Sequence, residues 1–308
     1  MNQRSGRFRL LFALVAALSC VFAAAAVGAT IVGTPGGDKL IGTPEADSIN
    51  ALAGGDAVRA RGGDDVVDTG AGRDVARGGV GNDTLLGGFG RDLLVGGADN
   101  DLIDGQNGRD LIIGNAGDDD LRGSLGRDRI FAGRGNDKVT GGPGATGSGR
   151  GRGRAGDRLH GGTGNDTIDG NVGRDLISGG FDNDVLTGNA GNDRVFANQG
   201  VDQVSGDEGN DDLWALSRKD VTVAGDPVGD TLTGGNGRDR FHTFDGEVDT
   251  VDCGAGRDRA ILDVYDVITD ATPVNPNGSC EKVTRTVAES DEEENETESP
   301  DEDTQAKG

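Results

Sequence analysis

Apolar side chains recur along this chain once in every nine positions. Leu40, Ile49, Val58 and Val67 are followed by Leu85, Leu94, Ile103, Ile112, Leu121, Ile130 and Val139, and the series resumes at Leu159, Ile168, Ile177, Leu186, Val195, Val204 and Leu213. One dependable apolar residue in nine is too sparse for an amphipathic helix and too sparse for an alternating strand of ordinary length. It predicts one very short strand per unit, with a single inward side chain. Such a strand has no stability alone. Stacked copies bury a continuous stripe of Leu, Ile and Val, and each backbone group pairs with the coil above or below. The expected fold class is therefore all-β and repetitive.

The polar positions keep the same period. Residues 78–86 read GGVGNDTLL, 87–95 GGFGRDLLV, 161–169 GGTGNDTID and 234–242 GGNGRDRFH. The sixth position is held by Asp38, Asp47, Asp56, Asp65, Asp74, Asp83, Asp92, Asp101, Asp110, Asp119, Asp128 and Asp137. A second block carries Asp157, Asp166, Asp175, Asp184, Asp193, Asp202, Asp211 and Asp220, with looser copies at Asp230, Asp239, Asp249 and Asp258. Glycine at the first, second and fourth positions permits tight turns with positive φ and lets carbonyls converge. One carboxylate per turn plus freed carbonyls is the oxygen set that a hard cation such as calcium takes. His and Cys are nearly absent from the units (only His160 and His242, both ninth-position), which argues against zinc, copper or iron.

These units resemble the RTX, or haemolysin-type, calcium-binding nonapeptide G-G-x-G-x-D-x-U-x over roughly residues 33–260. The resemblance implies a parallel β-roll, a right-handed solenoid with two nonapeptides per coil and calcium ions between stacked turns. It implies that the aspartates from Asp38 to Asp211 and Asp239 supply side-chain ligands, and that Ca2+ is the cofactor, in several copies. Relatives exported by dedicated machinery carry a C-terminal signal behind a toxin, lipase or protease domain. This chain departs from that plan, with an N-terminal signal-like segment and repeats alone.

Fifth-position residues add a period of eighteen. Arg73, Arg91, Arg109 and Arg127 precede every second aspartate, and Asp64, Asn82, Asn100, Asp118 and Asn136 precede those between. With two units per coil, one edge of the roll carries an arginine ladder and the other an Asn/Asp ladder. Either these side chains are solvated and Arg moderates carboxylate repulsion, or the Arg edge binds calcium more weakly because guanidinium groups partly replace the cation.

Composition decides between disorder and repeat. The 308 residues hold 58 Gly, 54 Asp+Glu, 30 Lys+Arg and 4% aromatics, with formal net charge −24. Without the period, these values describe a disordered chain. The first residues resemble a secretory signal: Arg4, Arg7 and Arg9, then an apolar run from Leu10 to Val27 and small residues around Ala29. Cleavage at residue 29 moves the net charge to −27 and leaves Cys253 and Cys280 to pair, closing a loop worth about 3 kcal/mol. The alternatives are an uncleaved membrane anchor and lipidation at Cys20; otherwise the chain is expected to be secreted.

The expected organisation is a signal over 1–29, a first roll block over 30–141 and a Gly/Arg-rich loop over 142–156 separating two stacks. A second block over 157–262, a disulfide-closed cap over 263–288 and an acidic disordered tail over 289–308 complete it. Arg150, Arg152 and Arg154 in the loop read as a linker softening repulsion rather than a polyanion patch, and no nucleic-acid partner is expected. No H-E-x-x-H, G-x-S-x-G or phosphate-loop string occurs, so no enzyme is expected. Three functions remain: a calcium-binding structural protein at the cell surface or matrix, an adhesion or accessory module presenting a face to an extracellular polysaccharide or cell-surface protein, and a toxin or enzyme fragment.

Overall fold

The computed structural model describes residues 28–143, 156–215, 229–272, 275 and 277–286. The signal-like segment, most of the Gly/Arg-rich loop, Asp220 and the acidic tail lie outside the described residues. Every strand within them pairs in parallel with the strand one coil away, eighteen residues apart wherever the nine-residue repeat is unbroken. Leu94 thus pairs with Ile112 and Ile112 with Ile130, while Leu85 pairs with Ile103 and Ile103 with Leu121. Alternate nonapeptides enter opposite sheets. A thirteen-stranded sheet carries Leu111–Ala116 and its equivalents, and a fifteen-stranded sheet carries Leu102–Asp104 and its equivalents. Five two-residue strands, Ala53–Gly54 to Leu125–Gly126, form a narrow third ladder. The parallel two-unit coil implied by the resemblance is the observed architecture.

The core is the apolar stripe read from the sequence. One sheet contributes Ile49, Val67, Leu85, Ile103, Leu121, Val139, Ile168 and Leu186, and the other Val58, Leu94, Ile112, Ile130, Leu159 and Ile177. All are buried, each giving about 1.5–3 kcal/mol from removal of its side chain from water. Ala76, where the apolar series lapses, still occupies its rung and is buried. Larger apolar side chains at other positions stay outside, as with Phe89 at 67% exposure. Position within the nonapeptide, rather than hydrophobicity, decides what is buried.

Two boundaries differ from expectation. The Gly/Arg-rich insertion does not divide the roll. Arg129–Arg134 pairs directly with Arg158–Thr163 and Lys138–Pro143 with Thr167–Gly173, so both blocks belong to one stack. Across the insertion the sequence separation of paired rungs grows from 18 to 29. The expected disulfide-closed cap is present at the end of the roll, and its strands continue the stack beyond the boundary at 262. Val267–Ile268 and Lys282–Arg285 each extend one of the two long sheets. The Cys253–Cys280 disulfide, with Cα atoms 5.3 Å apart, ties this last turn to the coil beneath it.

Truncating a core rung leaves a cavity that a narrow two-sheet roll cannot close. Leu121→Ala is expected to cost about 2–5 kcal/mol in urea unfolding at saturating calcium, whereas Phe89→Ala stays within about 0.5 kcal/mol. Equal effects would mean that the stripe is not the core.

Candidate metal centre

The sixth-position aspartates close the two corners of each coil. On one edge stand Asp38, Asp56, Asp74, Asp92, Asp110, Asp128, Asp157, Asp175, Asp193, Asp211, Asp239 and Asp258. On the other stand Asp47, Asp65, Asp83, Asp101, Asp119, Asp137, Asp166, Asp184, Asp202, Asp230 and Asp249. On each edge one carboxylate oxygen is used to join coils: the backbone N–H of one aspartate donates to Oδ1 of the aspartate one coil further on. The Asp101 N–H meets Asp119 Oδ1 at 2.8 Å, and the Asp110 N–H meets Asp128 Oδ1 at 2.8 Å. The bond repeats across both insertions, from Asp128 to Asp157, from Asp202 to Asp230 and from Asp211 to Asp239. Asp230 therefore takes the rung after Asp202, where the nine-residue count pointed to Asp220.

The second oxygen is different. Oδ2 is buried without a hydrogen-bond partner in Asp56, Asp74, Asp92, Asp110, Asp128, Asp157, Asp175, Asp193, Asp211 and Asp239 on one edge. The same holds for Asp65, Asp83, Asp101, Asp119, Asp137, Asp166 and Asp184 on the other. A buried carboxylate oxygen left unpaired is among the costliest arrangements a protein can hold. In most turns it sits over a first-position glycine, whereas Ala51, Ala60, Thr69 and Ala132 hold that position in the turns of Asp56, Asp65, Asp74 and Asp137. A Cβ on Gly105 would lie 2.8 Å from Asp110 Oδ2 and 3.0 Å from the Gly123 carbonyl oxygen, and one on Gly96 would collide with Asp101 Oδ2. At the glycine turns a carboxylate and carbonyls converge on one space. An unpaired hard oxygen, a cradle that any side chain would fill and an all-oxygen donor set together suit calcium.

The first two rungs differ. Their units read GTP in place of GGx, and Thr34 donates both its N–H and its hydroxyl to Asp38 Oδ2, at 2.6 and 2.9 Å. In the next unit the Thr43 N–H meets Asp47 Oδ2 at 2.6 Å and its hydroxyl meets Oδ1 at 3.0 Å. These threonines take the second oxygen that the later rungs leave unpaired. At the far end each ladder closes on an acid outside the nine-residue count. The Asp258 N–H donates to a Glu281 carboxylate oxygen and the Asp249 N–H to Asp266. Glu281 and Asp266 were missed in the sequence because the steps to them are 23 and 17 residues. Taking the acid nearest to eighteen residues downstream of each rung would have found them.

The eighteen-residue alternation has a structural basis on the Asn/Asp edge. Asn82 Oδ1 accepts the Asn100 N–H at 3.0 Å, Asn100 Oδ1 accepts the Asp118 N–H at 2.9 Å and Asp118 Oδ1 accepts the Asn136 N–H at 2.8 Å. These side chains clamp successive coils, so on this edge the fifth position is not merely solvated. Asn192, on the opposite edge, makes the same bond to the Asn210 N–H. Residue type, then, and not the edge, decides the clamp. Each Arg instead acts one coil ahead: Arg91 lowers the Asp110 pKa, Arg109 that of Asp128 and Arg127 that of Asp157, in each case against a larger upward push from burial. Burial outweighs this pattern, since Asp128 and Asp175 on the Arg edge and Asp184 on the other are all pushed up to about 8.

The raised pKa values fix the sign of the acid response. Burial drives Asp101 and Asp119 up to about 7 and Asp211 up to about 8, so the ion-free roll holds protons that the unfolded chain releases near 4. Its stability is then fully present below about pH 4 and is lost as pH rises toward 8. In chelator, circular dichroism of the chain is expected to show β structure at pH 4–5 that disappears by pH 8. Calcium at neutral pH should restore it with release of protons. A chelated chain more ordered at pH 8 than at pH 4 would contradict this.

A family model for the RTX calcium-binding nonapeptide repeat (4 copies) matches residues 32–67, 41–76, 59–94, 77–112, 86–121, 113–146, 153–186, 178–213 and 225–260. No curated protein matches the chain. The matched segments span more than half of the sequence and coincide with the coils that carry the aspartate ladders, so this chain belongs to the family of RTX calcium-binding nonapeptide-repeat proteins.

Proposed function

We propose that this chain is an exported calcium-binding protein of structural role, at the cell surface or in the surrounding matrix, which folds as it takes up calcium between its stacked Gly/Asp turns. The observation that carries the reading is the column of buried, unpartnered Oδ2 atoms on each edge, most of them beside a first-position glycine. Asp56 to Asp211 and Asp239 would hold the ions with carbonyls of the glycine turns. The ion supplies positive charge where like charges are stacked about 4.8 Å apart. The chain's own residues do the rest: Oδ1 holds the register, glycine admits the close approach, and the apolar stripe becomes continuous only once the turns are drawn together. Binding and folding are thereby one event. Extracellular modules of this kind work at about 10⁻⁴–10⁻³ M calcium, which would keep the chain unfolded in a low-calcium cytosol.

Export is supported by the Arg-led apolar segment at the N-terminus and by the Cys253–Cys280 disulfide, which belongs in an oxidising compartment. No described feature favours a reaction. Acids that would serve as general acid and base are committed to the ladders, and the second functional class kept in view is adhesion through an outer face of the roll.

Far-UV circular dichroism of residues 30–308, titrated with calcium from zero to about 10 mM so as to bracket that range, should show a cooperative coil-to-β change. Chelator reverses it and magnesium does not reproduce it. Asp101→Ala and Asp119→Ala, consecutive rungs of one edge, should each raise the calcium midpoint, and the pair by more than the sum. Wild-type midpoints in both would mean that these carboxylates are not ligands.

The arginines give a further expectation. Replacing Arg91, Arg109 and Arg127 by Gln removes about 0.2–1 kcal/mol of repulsion to a cation per site, so calcium should bind up to several-fold more tightly. An unchanged isotherm would assign these arginines to solvation alone.

A further inference from the structure

Near the C-terminal end the repeat departs from glycine in one chemical direction. The unit closing on Asp249 reads Phe244-Asp245-Gly246-Glu247-Val248-Asp249, with acids at its second and fourth positions, where the unit closing on Asp83 has Gly79 and Gly81. Asp230, Glu247 and Asp249 each bring a carboxylate oxygen within 4.8 Å of the others, and all three are buried. Asp249 is fully enclosed: its Oδ1 accepts the Asp230 N–H at 2.7 Å and its Oδ2 has no hydrogen-bond partner. Asp245 lies beside the group, 4% exposed, and its Oδ1 accepts the Glu247 N–H at 3.2 Å. Asp266 braces the cluster, its oxygens accepting from the Thr243 hydroxyl and from the backbone N–H groups of Asp249 and Asp263.

The electrostatics are one-sided. Burial is the largest influence on both Asp230 and Asp249 and raises both. Asp202, Asp245 and Glu247 raise Asp230 further, and Asp245, Asp230 and Asp266 do the same to Asp249. Among the described residues the charges that act most on both are acids, whereas Arg174 lowers Asp193 against the push from burial. The donors are all carboxylate oxygens, without His or Cys, which selects a hard divalent cation.

We propose that Asp230, Glu247 and Asp249 form a calcium site built from side chains at the C-terminal end of one ladder, tighter than the ordinary repeat turns. A repeat turn offers one carboxylate per rung and fills its shell with carbonyls. This site gathers three carboxylates, and ligand charge is what raises calcium affinity. Two of its ligands, Asp230 and Asp249, are also rungs of one ladder, so the ion ties adjacent coils just below the disulfide-closed end. The proposal rests on the calcium-binding reading only for the identity of the ion.

The test is calcium calorimetry on the full chain, with Glu247→Gln, which is isosteric and lies outside both ladders, and with Asp101→Asn as a ladder control. Glu247→Gln should abolish the tightest class and reduce the stoichiometry by one ion, leaving the weaker class and the β signal at saturating calcium unchanged. Asp101→Asn should do the reverse, weakening the repeat class and sparing the tight site. The same stoichiometry and the same tightest affinity in Glu247→Gln and wild type would overturn the site while leaving the repeat reading intact. A wild type that takes up one ion, lost in Glu247→Gln, would uphold the site and overturn the repeat reading. Should Glu247→Gln not fold, crystals of the wild type grown with terbium decide. An anomalous peak among the three carboxylates supports the site, and an ordered cluster without one refutes it.

Discussion

The burial of two columns of carboxylates is the constraint on which the rest of this roll depends. Each coil places one aspartate at either corner, enclosed by its own glycine turn. Half of the capacity of these groups goes into holding the next coil through Oδ1. The other half, Oδ2, is buried without a partner, in most turns over a space that glycine keeps open. Without a countercharge the two columns repel themselves, and the slender apolar stripe between the sheets has little to set against that repulsion. The same feature is what suits the roll to a hard divalent cation.

The other details serve this arrangement. Asn and Asp at the fifth position clamp successive coils from outside the ladder, and they do so on either edge. Arginines at the equivalent position temper the carboxylates one coil ahead but do not overcome the effect of burial. At the first two rungs threonine hydroxyls and amides supply hydrogen bonds, so the stack begins on aspartates that are already satisfied. At the last coils the register loosens, acids replace glycines, and a disulfide takes over part of the work of closure. The ends thus differ in chemistry: one is finished by hydrogen bonds, the other by a covalent link and a cluster of charge.

Much of this was written in the chain. A nine-residue period in Asp and Leu/Ile/Val leaves no other way to bury a core, because each unit has one apolar side chain and must borrow the rest from its neighbours. Glycines at fixed offsets from each aspartate state which groups converge, and Cys253 and Cys280 could pair only with each other once Cys20 was set aside. Periodicity is local information, repeated until it becomes a fold. Tertiary structure decided what the period does not encode. It bridged the Gly/Arg-rich insertion without interrupting the stack, because rungs 29 residues apart in sequence can still be nearest neighbours in space. It passed the rung after Asp202 to Asp230, brought Glu281 and Asp266 under the last coils, and gathered Asp230, Glu247 and Asp249 into one buried group. Each of these contacts joins residues whose separation in sequence follows no period, so only the three-dimensional path of the chain could specify them.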